Sequence, residues 1–230
     1  MKNNLKEFYD KRVKVYDAVL TTGSLYEIIY NFIGEKEKVL DVGCANGNFS
    51  GQLKKKKAKV TGIEVSPILA KNSAKLLDKV IVGNIETMSF SFKKRSFDTI
   101  LVMDVLEHLF DPVSVLTKLN PYLNQNGKVI VSVPNVANWF VRLELLQGRF
   151  NSESTTILEE GHIRFFTYAT AKKMFDKAEF KIKKFDLVIN YPLVLLKIHN
   201  RFPFLGIDNF LKSKLPKLFA FQFIFELQRK

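Results

Sequence analysis

The sequence predicts an α/β fold, a doubly wound sheet with helices on both faces, and three observations carry that prediction. Short apolar runs recur along the chain, most of them close on a polar or charged residue, and helical segments separate them. The first run, residues 39–42, holds a carboxylate near its end and breaks into the turn Gly43-Cys44-Ala45-Asn46-Gly47 before a helical stretch. Strand, glycine-bearing loop and helix in that order read as a nucleotide-binding unit, whose ligand lies beyond the carboxyl ends of the strands.

The loop's chemistry narrows the ligand. Gly43 and Gly47 are free to adopt backbone angles closed to other residues, so the chain can pass close beneath a bound molecule. Asp41 would repel a dinucleotide's pyrophosphate but can accept a hydrogen bond from the ammonium of an amino-acid-bearing nucleoside. That description fits S-adenosylmethionine better than NAD. The spacing agrees, since Gly43-x-Ala45-x-Gly47 is a poor match to the dinucleotide pattern G-x-G-x-x-G.

The later runs follow in order. Residues 60–64 make a second strand ending in Glu64, about 20 residues beyond the loop, the spacing at which such folds present an acid to a ribose diol. A third run, residues 80–82, leads through Gly83 to Asn84, whose amide can hydrogen-bond adenine. Residues 97–103 form a fourth strand that enters Asp104-Val105-Leu106-Glu107-His108, and residues 128–133 a fifth, closed by Pro134-Asn135.

From about Glu35 onward the chain resembles the class I S-adenosylmethionine-dependent methyltransferases. The residues that carry the likeness are the loop D-V-G-C-x-x-G and the later run F-D-x-I-x-x-x-D-V-L-E-H-L-x-D-P. Ser132-Val133-Pro134-Asn135 and Gly161-His162-Ile163-Arg164-Phe165-Phe166-Thr167 are similar to a prokaryotic subgroup tied to cell-surface glycan or lipid-linked biosynthesis, and distantly to ubiquinone-pathway O-methyltransferases. The resemblance implies a Rossmann-like sheet of seven strands, with residues 181–189 and 218–227 as the sixth and seventh and the last antiparallel. It implies helices at residues 49–57, 67–78, 112–123 and 170–178, the last capped by Thr170. It also implies a cofactor surface built from Asp41, Gly43, Cys44, Ala45, Gly47, Phe49, Glu64, Val65, Asn84, Ile85, Asp104 and Val105. Two positions depart from the family: Ala45 stands for a common middle glycine, and Asn84 for a common Asp.

Composition sets the frame. The chain has 230 residues, 47% of them hydrophobic, which suits one domain with a substantial core. Its net charge of +13 comes largely from lysines in blocks such as residues 54–57, a solvated surface rather than an arginine and aromatic interface, so nucleic acid is not expected as a partner. Amino-directed nucleic-acid enzymes of this fold usually carry D/N-P-P-Y/F after the fourth strand, and Asp104-Val105-Leu106-Glu107 stands there instead. The lone cysteine, Cys44, excludes an intrachain disulfide framework. With neither a signal-peptide pattern nor an apolar run of spanning length, a cytoplasmic protein is expected, with peripheral membrane contact and a homodimer left open.

Specificity is expected in three segments outside the sheet. Residues 1–34 read as a helical cover of two segments broken at residues 21–24, with Ser24 capping the second. Residues 135–167 read as a substrate lid with a helix near Trp139, and Asn135, Trp139 and Arg164 as its substrate contacts. Residues 190–217 separate the last two strands and place Ile207, Phe210 and Leu211 beside Lys212, Lys214 and Lys217, a pattern suited to an anionic membrane or to packing within the protein.

Methyl transfer is an in-line displacement, so alignment supplies much of the catalysis, and a hydroxyl acceptor also needs a base. His108, just after the fourth strand, and His162, in the lid, are the two candidates. D-x-x-E-H at Asp104, Glu107 and His108 also resembles the E-x-x-E-H metal site of some ubiquinone-pathway relatives. Glu107 as a carboxylate at a helix start is the simpler account, and no metal is expected. The expected activity is O-methylation of a small-molecule, sugar or lipid-linked acceptor; a noncatalytic protein retaining the fold and a ribose or protein methyltransferase are the alternatives.

Overall fold

Side chains alternate across each strand, and in β1 (Lys38–Val42) this sends Leu40 and Val42 to one face of the sheet and Val39 and Asp41 to the other. The structure, a computed structural model, describes residues 20, 21, 23–150, 156–189 and 214–230. Around β1 stand β2 (Lys59–Glu64), β3 (Lys79–Val82), β4 (Phe97–Met103), β5 (Leu123–Pro134), β6 (Phe180–Ile189) and β7 (Ala220–Arg229). They form one seven-stranded sheet in the order β3-β2-β1-β4-β5-β7-β6. The first five run parallel, and β7 lies antiparallel to both β5 and β6. The order reverses beside β1, where neighbouring crossovers leave opposite faces and open a crevice at the strands' carboxyl ends.

Two apolar layers cover the sheet. On one face Leu40, Val102, Val131 and Phe225 pack against α4 (Pro112–Leu119) and α6 (Tyr168–Lys177) through Val115, Leu116, Met174 and Phe175. On the other, Val39, Leu101 and Ile130 meet Ile29 of α1 (Leu25–Phe32) and Phe49 of the short α2 (Asn48–Gly51). The parallel strands are apolar on both faces because both are covered, which is why the sequence shows them as continuous runs. The remaining helices are α3 (Pro67–Ser73), α5 (Trp139–Leu146) and α7 (Pro216–Phe219).

Local chemistry explains where the elements depart from expectation. Ser24 caps α1, its Oγ accepting from the Glu27 N–H, as the sequence predicts. The stretch after α2 continues as a 3-10 helix over Gln52–Lys56, and α4 gives way to another at Asn120–Tyr122, where Pro121 cannot continue the α-helical bonding. Thr170 is not the cap of α6. Thr167 is, its Oγ1 accepting from the Thr170 N–H while Thr170 Oγ1 accepts from the Thr167 N–H, a reciprocal capping box. Leu218 belongs to α7, and the seventh strand starts at Ala220. The first half of the N-terminal cover, residues 151–155 of the lid, and Ile207, Phe210, Leu211 and Lys212 of the last insertion lie outside the described residues.

Candidate active site

The loop after β1 is anchored from below. The Gly43 and Cys44 N–H groups both donate to the Ile63 carbonyl of β2, at 2.8 and 3.1 Å. Gly43 has φ +75°, and a Cβ there would lie 2.6 Å from Val105 Cγ2, so only glycine fits between this loop and the one after β4. Ala45 also takes a left-handed conformation, at φ +47°, and pays the Cβ penalty that a glycine would avoid. Glu64 holds it there. One carboxylate oxygen accepts from the Ala45 N–H at 2.9 Å and the other from the Ser66 N–H at 2.8 Å.

Asp41 sits below this loop, 1% exposed. Ser50 Oγ of α2 donates to one carboxylate oxygen at 2.6 Å, and the other oxygen has no partner. Burial pushes the carboxyl up to about 7; the Ser50 hydrogen bond opposes the rise and the charge of Glu64 adds to it. A buried carboxylate with an unmet oxygen is stabilised by a ligand cation, which is what an aminoacyl ammonium supplies.

The cavity above, about 420 Å3, runs along the ends of β1, β2, β4 and β5. It gathers Asp41, Gly43, Cys44, Ala45, Phe49, Glu64, Val65, Asn84, Ile85, Asp104, Val105, His108 and His162 from distant parts of the sequence. Asn84 turns its Oδ1 to the Glu86 N–H at 2.9 Å, which directs its amide nitrogen to act as a donor. Burial pushes the Cys44 thiol upward, and the charge of Asp41 adds to it, so this cysteine is a wall and not a nucleophile.

Asp104, at φ +51°, turns the chain after β4. Its carboxylate accepts from Ser132 Oγ of β5 at 2.8 Å and from the side-chain amide of Gln222 of β7. The surrounding protein raises the carboxyl to about 6 against those two hydrogen bonds. Tyr26 of α1 stacks on Phe49 with ring centroids 5.5 Å apart; burial, and then the charge of Asp104, raises its hydroxyl.

At the lid end the two histidines meet, their ring centroids 4.7 Å apart. His108 Nδ1 lies 2.8 Å from the Gly161 carbonyl and His162 Nδ1 2.9 Å from the Ile157 carbonyl. A carbonyl only accepts, so each neutral ring carries its proton on Nδ1 and its lone pair on Nε2. Glu107 lies beside them, 1% exposed, within a short 3-10 turn. The account of Glu107 as a helix-start carboxylate is therefore corrected, because the helix that follows is capped by Asp111. Its main-chain carbonyl accepts from the Ile163 and Arg164 N–H groups at 2.9 and 3.0 Å, tying the lid's return to the end of β4. Neither carboxylate oxygen is held by a hydrogen bond from another residue. Burial drives the carboxyl well upward and the charge of Asp104 adds to it, against a hydrogen bond from the residue's own backbone. One ligand-capable atom from each of Glu107, His108 and His162 lies within 4.8 Å of the others, a grouping in which His162 replaces Asp104 of the sequence pattern.

Several expected contacts fall elsewhere. Gly47 does not line the cavity; at φ +78° it starts α2, and a Cβ there would lie 2.9 Å from Ser73 Cβ of α3. Asn135 is fully buried, its amide donating to the Lys217 and Ala220 carbonyls and its Oδ1 accepting from the Ala137 N–H, so it clamps the lid to β7. Trp139 lies outside the lining and packs edge-on against Phe140, and Arg164 donates to the Phe110 carbonyl at the surface. Tyr26, Glu107 and Gln222 take their place on the cavity wall. Gln222 was legible as the one polar residue within Phe221–Phe225, an otherwise apolar run.

Comparison with known proteins places this geometry. Residues 20–184 match the family model described as a methyltransferase domain. The chain belongs to this methyltransferase family. That family is the class I S-adenosylmethionine-dependent methyltransferases, and the chain is distantly related to ubiquinone-pathway enzymes. It is 33% identical over 109 residues to the ubiquinone biosynthesis O-methyltransferase of Histophilus somni, covering 44% of this chain and 46% of that one. The methyltransferase thus spans about half the length of the curated O-methyltransferase it matches there. It is also 30% identical over 190 residues to an uncharacterized protein of Methanocaldococcus jannaschii, covering 79% of this chain and 70% of the relative. Among solved structures, a SAM-dependent methyltransferase from Archaeoglobus fulgidus shares the fold with a TM-score of 0.62 at 14% identity, covering 100% and 95% of the two chains. One from Methanosarcina mazei does so at 0.60 and 19%, covering 90% and 98%. The glycine cradle and the unmet, buried oxygen of Asp41 fit that cofactor.

Proposed function

We propose that this methyltransferase acts on a hydroxyl oxygen of a small-molecule, sugar or lipid-linked acceptor. The observation that carries the reading is the pair His108 and His162, adjacent in the cavity beyond β4 and each anchored through Nδ1 to a backbone carbonyl. A hydroxyl is a poor nucleophile until its proton is taken, and a neutral imidazole held in one tautomer is suited to take it. Bound S-adenosylmethionine supplies a methyl group already activated by its sulfonium.

The chain's own residues do the rest. In this reading Asp41 and Asp104 hold the amino-acid end, Glu64 the ribose and Asn84 the adenine, and the reacting methyl faces the histidines. An ionised carboxylate accepts about four hydrogen bonds, so bracing the loop does not exclude Glu64 from a ribose diol. Tyr26 and Leu25 of α1 close the cavity over that end.

A lipid-linked acceptor gains support from the lid, where Leu146 is 85% exposed and Phe150, 56% exposed, packs edge-on against Phe165 at 5.8 Å. No helix among the described residues is long and apolar enough to cross a membrane.

The test is to incubate the protein with methyl-labelled S-adenosylmethionine and fractionated lysate of its own cells, then locate the label. A methyl ether in the labelled product supports the reading. Label on nitrogen or carbon overturns it.

A further inference from the structure

The charge of the cavity is opposite to that of the protein. The chain carries 36 lysines and arginines for a net charge of +13, yet no lysine or arginine lines the cavity among the described residues. Six carboxylates do: Asp41, Glu64, Glu86, Asp104, Glu107 and Glu159. Arg164, the basic residue nearest in sequence to the lid's histidine, spends its guanidinium on the Phe110 carbonyl outside.

Three of the six belong to the cofactor's half, and Glu86 accepts from the Asp111 N–H at 3.0 Å. Glu107 is different. It is 1% exposed at the acceptor end beside His108 and His162, its backbone is locked by the lid, and neither carboxylate oxygen is held by a hydrogen bond from another residue. Keeping such a buried acid ionised is costly, unless a ligand brings the missing charge. Leu109, Pro134 and Phe221 wall the same cavity with carbon, the surroundings of an organic ligand rather than of a bare ion.

We propose that the acceptor end of the cavity selects an organic cation, an acceptor bearing an ammonium group next to the hydroxyl that is methylated, with Glu107 as its counter-charge. The proposal rests on the reading that a hydroxyl is the methyl acceptor. The ammonium takes no part in the reaction: it anchors and orients. A cation favours the ionised form of Glu107, and an acceptor with a carboxylate or phosphate in the same place cannot.

The experiment uses three matched probes on the protein loaded with S-adenosylhomocysteine: 2-(aminomethyl)phenol, 2-methylphenol and 2-hydroxybenzoate, which share one hydroxyl and differ in the charge of the group next to it. Calorimetry should rank them cation, neutral, anion, with the cation ahead of the neutral probe by about tenfold or more. Glu107→Gln should bring the first two within about twofold of each other while the protein still binds S-adenosylhomocysteine, which shows that it is folded. A neutral or anionic probe binding as well as the cation overturns the proposal, and that ranking in the wild type decides even if the variant does not fold. So does the absence of cation binding at roughly 10 mM. Zinc or magnesium alone binding stoichiometrically, displacing 2-(aminomethyl)phenol and lost in Glu107→Gln, would make the cluster a metal site and overturn it as well. The two readings fail separately. Label found on nitrogen sinks the hydroxyl assignment with the charge ranking intact, whereas a reversed ranking sinks the cation site and leaves hydroxyl transfer standing.

Discussion

Ser50 Oγ lies 2.6 Å from one carboxylate oxygen of Asp41 and leaves the other without a partner. This half-satisfied acid makes cofactor binding sensitive to protons. In the free protein the Asp41 carboxyl is raised to about 7, so near neutral pH a substantial fraction is protonated. A cationic amino group favours the ionised form. Affinity for S-adenosylhomocysteine should therefore rise with pH, steeply below about 7, and flatten above it. Calorimetry in buffers of different ionisation enthalpy should show proton release near pH 6.5, absent in Asp41→Asn. The sign for stability is opposite. A raised folded-state value means that the free protein holds this proton more tightly than the unfolded chain, so stability from this group is fullest below about 4 and is lost as pH rises to about 7. Equal affinity and no proton release across that range would remove Asp41 from the cofactor's ammonium.

The loop allows a paired test of backbone strain. Gly43→Ala places a Cβ against Val105 at φ +75°, and a left-handed alanine alone costs roughly 1 to 2 kcal/mol. Denaturant unfolding should show at least that loss, together with weaker cofactor binding. Ala45→Gly works in the other direction: it removes the same penalty at φ +47° and adds part of it back as backbone entropy, for a net gain of roughly 0.5 kcal/mol. If both substitutions destabilise equally, the left-handed turn is not where the strain lies.

Glu64 braces the loop and is proposed to hold the ribose, and substitution separates the two. Alanine strips the acceptor from the Ala45 and Ser66 N–H groups, so Glu64→Ala should lower both stability and affinity for S-adenosylhomocysteine, the latter by about 1.5 to 3 kcal/mol. Glu64→Gln keeps one carbonyl oxygen and should recover more of the stability than of the affinity. Affinity that stays unchanged in a folded Glu64→Ala protein would leave Glu64 only a brace of the loop.

The histidines should divide base from support. Loss of a positioned general base lowers turnover by about 10² to 10⁴, so His108→Ala should do so with cofactor affinity nearly intact. If His162→Ala has that effect instead, the lid carries the base. In either case the remaining activity should rise with pH as hydroxide replaces the missing base. Full turnover in both variants would exclude an imidazole base and favour an acceptor that needs none.

Membrane contact is best tested at the lid. Lys217 stands over the Tyr168 ring at 4.8 Å, an anchor that reversing its charge would remove. Leu146→Ser with Phe150→Ser leaves that anchor alone. Flotation with anionic vesicles should show binding that grows with anionic lipid and falls in the double variant. Wild-type protein that never floats would favour an acceptor free in water.

Much of the fold was legible because its signals are local. Apolar runs, a glycine turn and capping residues act within a few neighbours, so the strands at 60–64 and 97–103 and the helix at Trp139–Leu146 could be read directly. The cofactor loop was legible for the same reason, since its chemistry lies in consecutive residues. Thr170 was misread as a cap because both threonines of a capping box look alike in sequence, and only backbone geometry separates the donor of one from the acceptor of the other.

The sequence by itself determined the order of strands and helices, the glycine loop, the acids at the strand ends and the two candidate histidines. Tertiary structure decided which of these share a cavity. It paired His108 with His162 across the lid, brought Gln222 of the last strand onto Asp104, and turned Asn135 and Arg164 away from the site. The physical reason is that side-chain direction depends on strand register and loop closure over long separations. Periodicity fixes the face of an element on which a residue lies, and only packing against other elements fixes what that face meets.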